Sequence, residues 1–285
     1  MTLPILADWF QGVAANAAVL FLLVATASLQ MRVGSIPIAL DGIVSLGAAI
    51  AATTSPTLTG PGSLLAALAV GLVLGSLSTF ASHRAHANDL IIGVSLLMLT
   101  GVAAQMLSGT FGNAPGSTFL NEGRLPGVAL MSSLFVMAVI GAIIVWFSGL
   151  ARGLAIIGSA PKFAFIADER ARANRHRAVI LSCASASVVG ALLAHKAGAW
   201  SPSISGGSGF LALAAAGLAM RRLKLALALA LGYAALDKTV IVFGGASHPD
   251  IAMAAPFVLS FVGLAWYSWI ESRLHRQALA RIAAR

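Results

Sequence analysis

The chain has 285 residues, of which 59% are hydrophobic and only 9% charged. With a mean hydropathy of +0.92, it is too apolar for a water-soluble globular domain, in which about a quarter of residues are charged. The formal net charge of +9 raises nucleic acid as a partner, but the basic residues are scattered over short loops between apolar runs instead of forming one stripe, and this argues against it.

A helix needs about 20 mostly apolar residues to cross ~30 Å of hydrocarbon. Nine such runs are predicted, near residues 9–30, 36–54, 63–82, 88–108, 127–148, 178–195, 204–220, 223–243 and 252–270. The fold class is therefore all-α and polytopic, with residues 1–285 forming a single membrane domain. The first segment, "MTLPILADWF", lacks a basic region before its apolar run, so the first helix is expected to be retained.

The second run is interrupted by Pro37 and Asp41, and the start of the seventh is diluted by Ser201 to Gly209. Either could be a broken or partly re-entrant helix. Between the fourth and fifth runs, "SGTFGNAPGSTFLNEGRLPG" reads as an irregular loop. "GLVLG", "SCASASVVGALLA" and "LALAAAGLA" carry the small residues that let membrane helices approach closely. Lys and Arg of short loops favour the cytoplasmic side. With the N-terminus outside, 18 basic residues less Arg124, Lys196 and Lys238 leave 15 inside. This bias supports nine spans, N-out and C-in.

No set of acid, base and nucleophile stands out. His83 and His86 are three residues apart, but only Asp89 offers a nearby carboxylate, so no metal site is expected. "GYAALDKT" falls short of a phosphate-binding loop, because Asp237 stands where a glycine is needed. Cys183 is the single cysteine, which excludes an internal disulfide. Ionisable groups in or beside the runs are Asp41, Asp89, Asp237 and Lys238. Such residues are costly in hydrocarbon and face a partner or a watery cavity. Asp41 is nearest a segment interior, and a cavity or a structural hydrogen bond would both account for it. Asp89 is read as interfacial, a candidate helix cap. Asp237 and Lys238 project about 100° apart on a helix and do not pair.

The loop at residues 149–177 places Phe163, Phe165 and Ile166 among charges. "SAPKFAFIADERARA" reads as a short helix with Ser159 or Ala160 at the cap and Pro161 in the first turn. Its apolar face would lie on the lipid interface or enter a groove on another protein.

"GLARGLAIIGSAPKFAFIADERARANRHRAVILSCASASVVGALLA" resembles the loop-and-span region of the permease subunits of binding-protein-dependent ABC importers, in the branch that includes simple-sugar and nucleoside permeases. "SPSISGGSGFLALAAA", "VGSIPIALDGIVSLGAAIAA" and "ANDLIIGVSLLMLTGV" are similar to further stretches of that family, and the matches occur in its order. The resemblance implies a coupling helix that docks on an ATPase through Ser159, Pro161, Lys162, Phe163, Phe165, Ile166, Asp168 and Glu169. Asp168 and Glu169 stand where the family commonly has glycine and an apolar residue, Ser159 where an acidic residue is common, Pro37 where asparagine is frequent and Asp41 where glutamate is.

The resemblance further implies an inner-membrane permease with no cofactor of its own and no enzymatic activity, ATP and Mg being bound by the partner ATPase. Its expected partners are that ATPase, a second permease subunit, an extracytoplasmic binding protein and lipid. Backbone lining the path is expected at Pro37, Asp41, Ser205, Gly206, Gly207 and Gly209, because irregular backbone at membrane depth must face protein or a cavity. The solute would be a nucleoside or simple sugar, with amino acids or vitamins as other candidates. The competing reading is a self-sufficient secondary transporter or channel, which would want several buried charges and paired broken helices.

Overall fold

The structure, a computed structural model, describes residues 3–33, 35–84, 88–110, 169–201, 204–219, 223–244 and 258. These residues form helices α1 (Leu3–Arg32), α2 (Leu40–Arg84), α3 (Asp89–Thr110), α4 (Glu169–Ala197), α5 (Ser208–Ala219) and α6 (Leu223–Gly244), with no strand among the described residues.

Four segments are long and apolar enough to cross a membrane: Gly12–Met31, Gly60–Ser82, Asp89–Leu107 and Ala173–Ala197. They coincide with the predicted runs at 9–30, 63–82, 88–108 and 178–195. The run at 36–54 is the first third of α2, and that at 223–243 matches α6. The run at 204–220 shortens to α5, whose 12 residues reach only ~18 Å at the α-helical rise. The run at 127–148 lies outside the described residues, as does that at 252–270 except for Val258.

The 45 residues of α2 are helical throughout, yet they do not run straight. A Cβ added to Gly47 would lie 2.1 Å from the Ser187 carbonyl oxygen, and one added to Gly71 would lie 2.8 Å from Ser187 Cβ. Positions 47 and 71 therefore flank the same residue, although 24 intervening steps would separate them by ~36 Å in a straight helix. So α2 doubles back between them, where Pro56, Gly60, Pro61 and Gly62 cluster. The gap at 55–62 between two predicted runs is thus filled by helical turns. Side-chain hydroxyls also bond carbonyls within this stretch: Thr54 donates to the Ile50 carbonyl at 2.7 Å, Thr57 to Thr54 at 3.0 Å and Ser63 to Gly60 at 2.7 Å.

Helix α4 is the inner element. Of its apolar window 78% is buried, against 17% for that of α3. Its sequence explains why: Cys183, Ala184, Ala186, Ser187, Gly190, Ala191 and Ala194 are all buried and all small. Neighbours can therefore approach to backbone distance. A Cβ at Gly190 would stand 1.9 Å from the Val44 carbonyl oxygen, and one at Gly71 2.6 Å from the Ala184 Cα. Three polar ties lie along the same helix. Ser182 donates to the Thr26 carbonyl of α1 at 3.1 Å, Ser187 to the Ala67 carbonyl of α2 at 2.7 Å, and His195 Nε2 shares a 2.8 Å hydrogen bond with Ser63. Ties of this kind between membrane helices average about 0.6 kcal/mol each, so close packing contributes the larger share. Gly198, at φ 70°, ends α4 by returning its N–H to the Ala194 carbonyl at 2.9 Å.

Substitution at the crossing is the direct test of this packing. Gly190→Val should cost at least ~1–3 kcal/mol, because its new atoms meet backbone rather than a flexible side chain. Gly101→Val should be close to neutral, since nothing lies within 4 Å of a Cβ built there. Thermal unfolding of the two variants in detergent decides the matter, and equal melting temperatures would refute the crossing.

Candidate functional site

The site grows from two places where the helical ladder stops. Helix α1 ends when the Gln30 carbonyl accepts both Val33 N–H and Ser35 N–H, each at 3.1 Å. Residues 35–39 then run irregularly, with Pro37 buried, and α2 starts after Leu40 N–H reaches the Pro37 carbonyl at 3.4 Å. Proline suits this place because it lacks the N–H that a continued helix would need. The second break separates α4 from α5. Here Gly206 and Gly207 have φ of 52° and 73°, the left-handed region that glycine enters without penalty.

The two breaks meet at Asp41, in the first turn of α2. Its Oδ1 accepts the Gly209 N–H at 3.0 Å and its Oδ2 accepts the Ser205 hydroxyl at 3.2 Å. The carboxylate thus sits at the N-terminus of α5, where unpaired N–H groups and the helix dipole favour negative charge. Contact is close, since a Cβ on Gly209 would lie 2.5 Å from Asp41 Cα. Only glycine fits there.

Of the expected path residues, Asp41, Ser205 and Gly209 are brought into direct contact. Gly206 and Gly207 form the turn beside them, and Pro37 lies in the break four residues before Asp41. Of the two accounts of Asp41, the structure shows the hydrogen bond. Ser159, Pro161, Lys162, Phe163, Phe165, Ile166 and Asp168 lie outside the described residues, and Glu169 is the first residue of α4.

The reading of Asp89 as a helix cap needs correction. Asn88 is the capping residue, its Oδ1 accepting Leu90 N–H at 3.1 Å. Asp89 instead accepts the Ser82 hydroxyl at 3.0 Å through Oδ1 and pairs with the Arg175 guanidinium through Oδ2. In the sequence Arg175 is only one of several loop charges. The available signal was that Arg175 and Asp89 open two spans expected to begin on the same side.

Among the described residues no group of three His, Cys, Asp or Glu could hold a metal ion. Around Asp41 the groups in contact are a hydroxyl and a backbone amide. That set can bind, orient and hold two chain segments together, and it defines the class to which the chain is assigned: a helical protein with several segments suited to crossing a membrane and two interhelical connections tied through Asp41. No family model, no curated protein and no solved structure matches the chain.

Removing the carboxylate isolates its contribution. Asp41→Ala leaves the Gly209 N–H and the Ser205 hydroxyl without their acceptor and should cost about 1–3 kcal/mol. Asp41→Asn keeps one acceptor oxygen and should cost less. Melting temperatures in detergent should rank wild type, Asn and Ala in that order, and an Ala variant as stable as wild type would refute the tie.

Proposed function

We propose that the chain is the membrane-spanning permease subunit of an ATP-driven importer, passing a small polar solute that an extracytoplasmic binding protein delivers. One observation carries the reading. The Pro37–Asp41 and Ser205–Gly209 stretches, which resemble two separate family motifs, join through a hydrogen bond between residues 168 positions apart. Their meeting supports a path built where two helices are interrupted, because backbone freed from its own ladder can line a cavity only with protein around it.

In this proposal the bundle sits N-out and C-in in the inner membrane, working beside a second, identical or similar permease. The energy comes from ATP and Mg bound by a separate ATPase subunit, so the chain itself is not an enzyme. The ATPase grips the segment from Ser159 to Glu169, with Phe163, Phe165 and Ile166 filling its groove and Lys162 flanking them. Motion there reaches the bundle through α4, which follows directly in the chain and is its inner helix. Alternating exposure of the path then follows nucleotide state. A nucleoside or a simple sugar is the proposed cargo, since hydroxyl and amide groups around the breaks suit a neutral, hydroxyl-rich solute.

A gentle-detergent pull-down of the tagged chain from its native membrane tests the assignment. Mass spectrometry should find an ATPase carrying a phosphate-binding loop, and Phe163→Asp or Ile166→Asp should reduce its recovery at least tenfold. If the chain purifies without any ATPase, the importer reading fails and a secondary transporter takes its place.

A further inference from the structure

Beneath the first chain break lies a small cavity with about 20 Å³ of room for water centres, where one water needs ~10–15 Å³. Its polar lining is Gln30, Ser35, Ser78, Ser82 and Asp89, and Pro37 of the break closes one side. Gln30 is buried, and its Oε1 finds no hydrogen-bond partner among the described residues. A buried amide oxygen beside a polar cavity takes its missing bond from water. The cavity has the room and the polar lining for a water that would supply this bond.

Three elements converge over it through a single carboxylate. Ser82 belongs to the end of α2, Asp89 to the start of α3 and Arg175 to the start of α4. Both partners of the ion pair are 20% exposed, so the pair lies at the rim rather than in the core. Arg175 is also nine residues from Ile166 in the chain, next to the proposed ATPase contact.

We propose that the Asp89–Arg175 pair is a gate over this cavity, and that the cavity is the hydrated vestibule at the α4-start end of the solute path. When the pair parts, the Arg175 side chain swings away from Asp89 while the backbone contacts of Gly71 and Gly75 with α4 stay in place, and the vestibule widens to admit hydroxyl- or amide-bearing solute. The inference rests on the transport reading but not on the source of energy.

Cysteine accessibility tests it in the full-length chain, reconstituted in nanodiscs. In a Cys183→Ser background, Ser78→Cys reports from the cavity wall, and a hydrophilic methanethiosulfonate reagent is the probe. With the pair intact, labelling should be slow. Asp89→Asn and Arg175→Gln should each accelerate it at least tenfold, and the exchanged pair, Asp89→Arg with Arg175→Asp, should return it to within about threefold of the starting rate. Ser82→Ala, which removes one donor and keeps the ion pair, should give an intermediate rate and serves if the charge variants are not monodisperse. Labelling that is already as fast as in denatured protein, or that no variant changes, overturns the gate. Fast single variants with no recovery on exchange overturn the pair as its basis. Absence of a copurifying ATPase leaves these rates unaffected, so failure of the importer reading is separately visible.

Discussion

Where α4 crosses the first arm of α2, Gly190 meets the Val44 carbonyl and Gly47 meets the Ser187 carbonyl, so no side chain separates the two backbones. In lipid an apolar side chain gains little by leaving hydrocarbon for a protein interior. Helices are held instead by how closely their surfaces fit and by the few polar bonds between them. The crossing sets the geometry of the rest. It anchors the first arm of α2, and with it Asp41, one turn before Val44. It fixes Ser187, against which the second arm then packs through Gly71 and Ala67.

The return of α2 on itself is the second consequence. Pro56 and Pro61 remove two backbone donors within six residues, which in a soluble protein marks a loop. Here the stretch is helical nonetheless, and Thr54, Thr57 and Ser63 turn their hydroxyls back onto nearby carbonyls. The same Ser63 also reaches His195 at the end of α4. Ser63 thus joins the bend to the inner helix.

Much of this was legible in the residues. Apolar runs long enough to cross a membrane are visible in a single sequence, and four of them coincide with such helices. Pro37 and the glycines of "SISGGSG" mark where α1 gives way to α2 and α4 to α5, because each residue type disfavours a continued helix for a local reason, but Asp41 does not interrupt its run, since α2 is continuous from Leu40. Other features were not legible. Helical turns through 55–62 are one such feature, since Pro56 and Pro61 taken alone point to a loop. Nor does spacing reveal that Asp41 meets residue 209 or that Asp89 meets Arg175 rather than capping its own helix. Those contacts are products of the crossing, and pattern along the chain carries no information on which distant helix lies opposite.

The two carboxylates differ in what holds them. Asp41, beside the crossing, is held by a backbone N–H, a hydroxyl and the end of a helix, all without formal charge. Asp89, at the rim, is held by a guanidinium and a hydroxyl. An unpaired charge in hydrocarbon is expensive, so the interior tie uses groups that cannot leave one behind on its partner, while the charged tie stands where water can solvate both halves if they part. The irregular segment at 35–39 lies between them, joined to Asp41 at one end and covering the Asp89 cavity at the other. Neither tie is made by the residues of the α4–α2 crossing itself, Val44, Gly47, Ser187 and Gly190. A bundle made this way keeps its closest backbone packing and its charged tie on different residues.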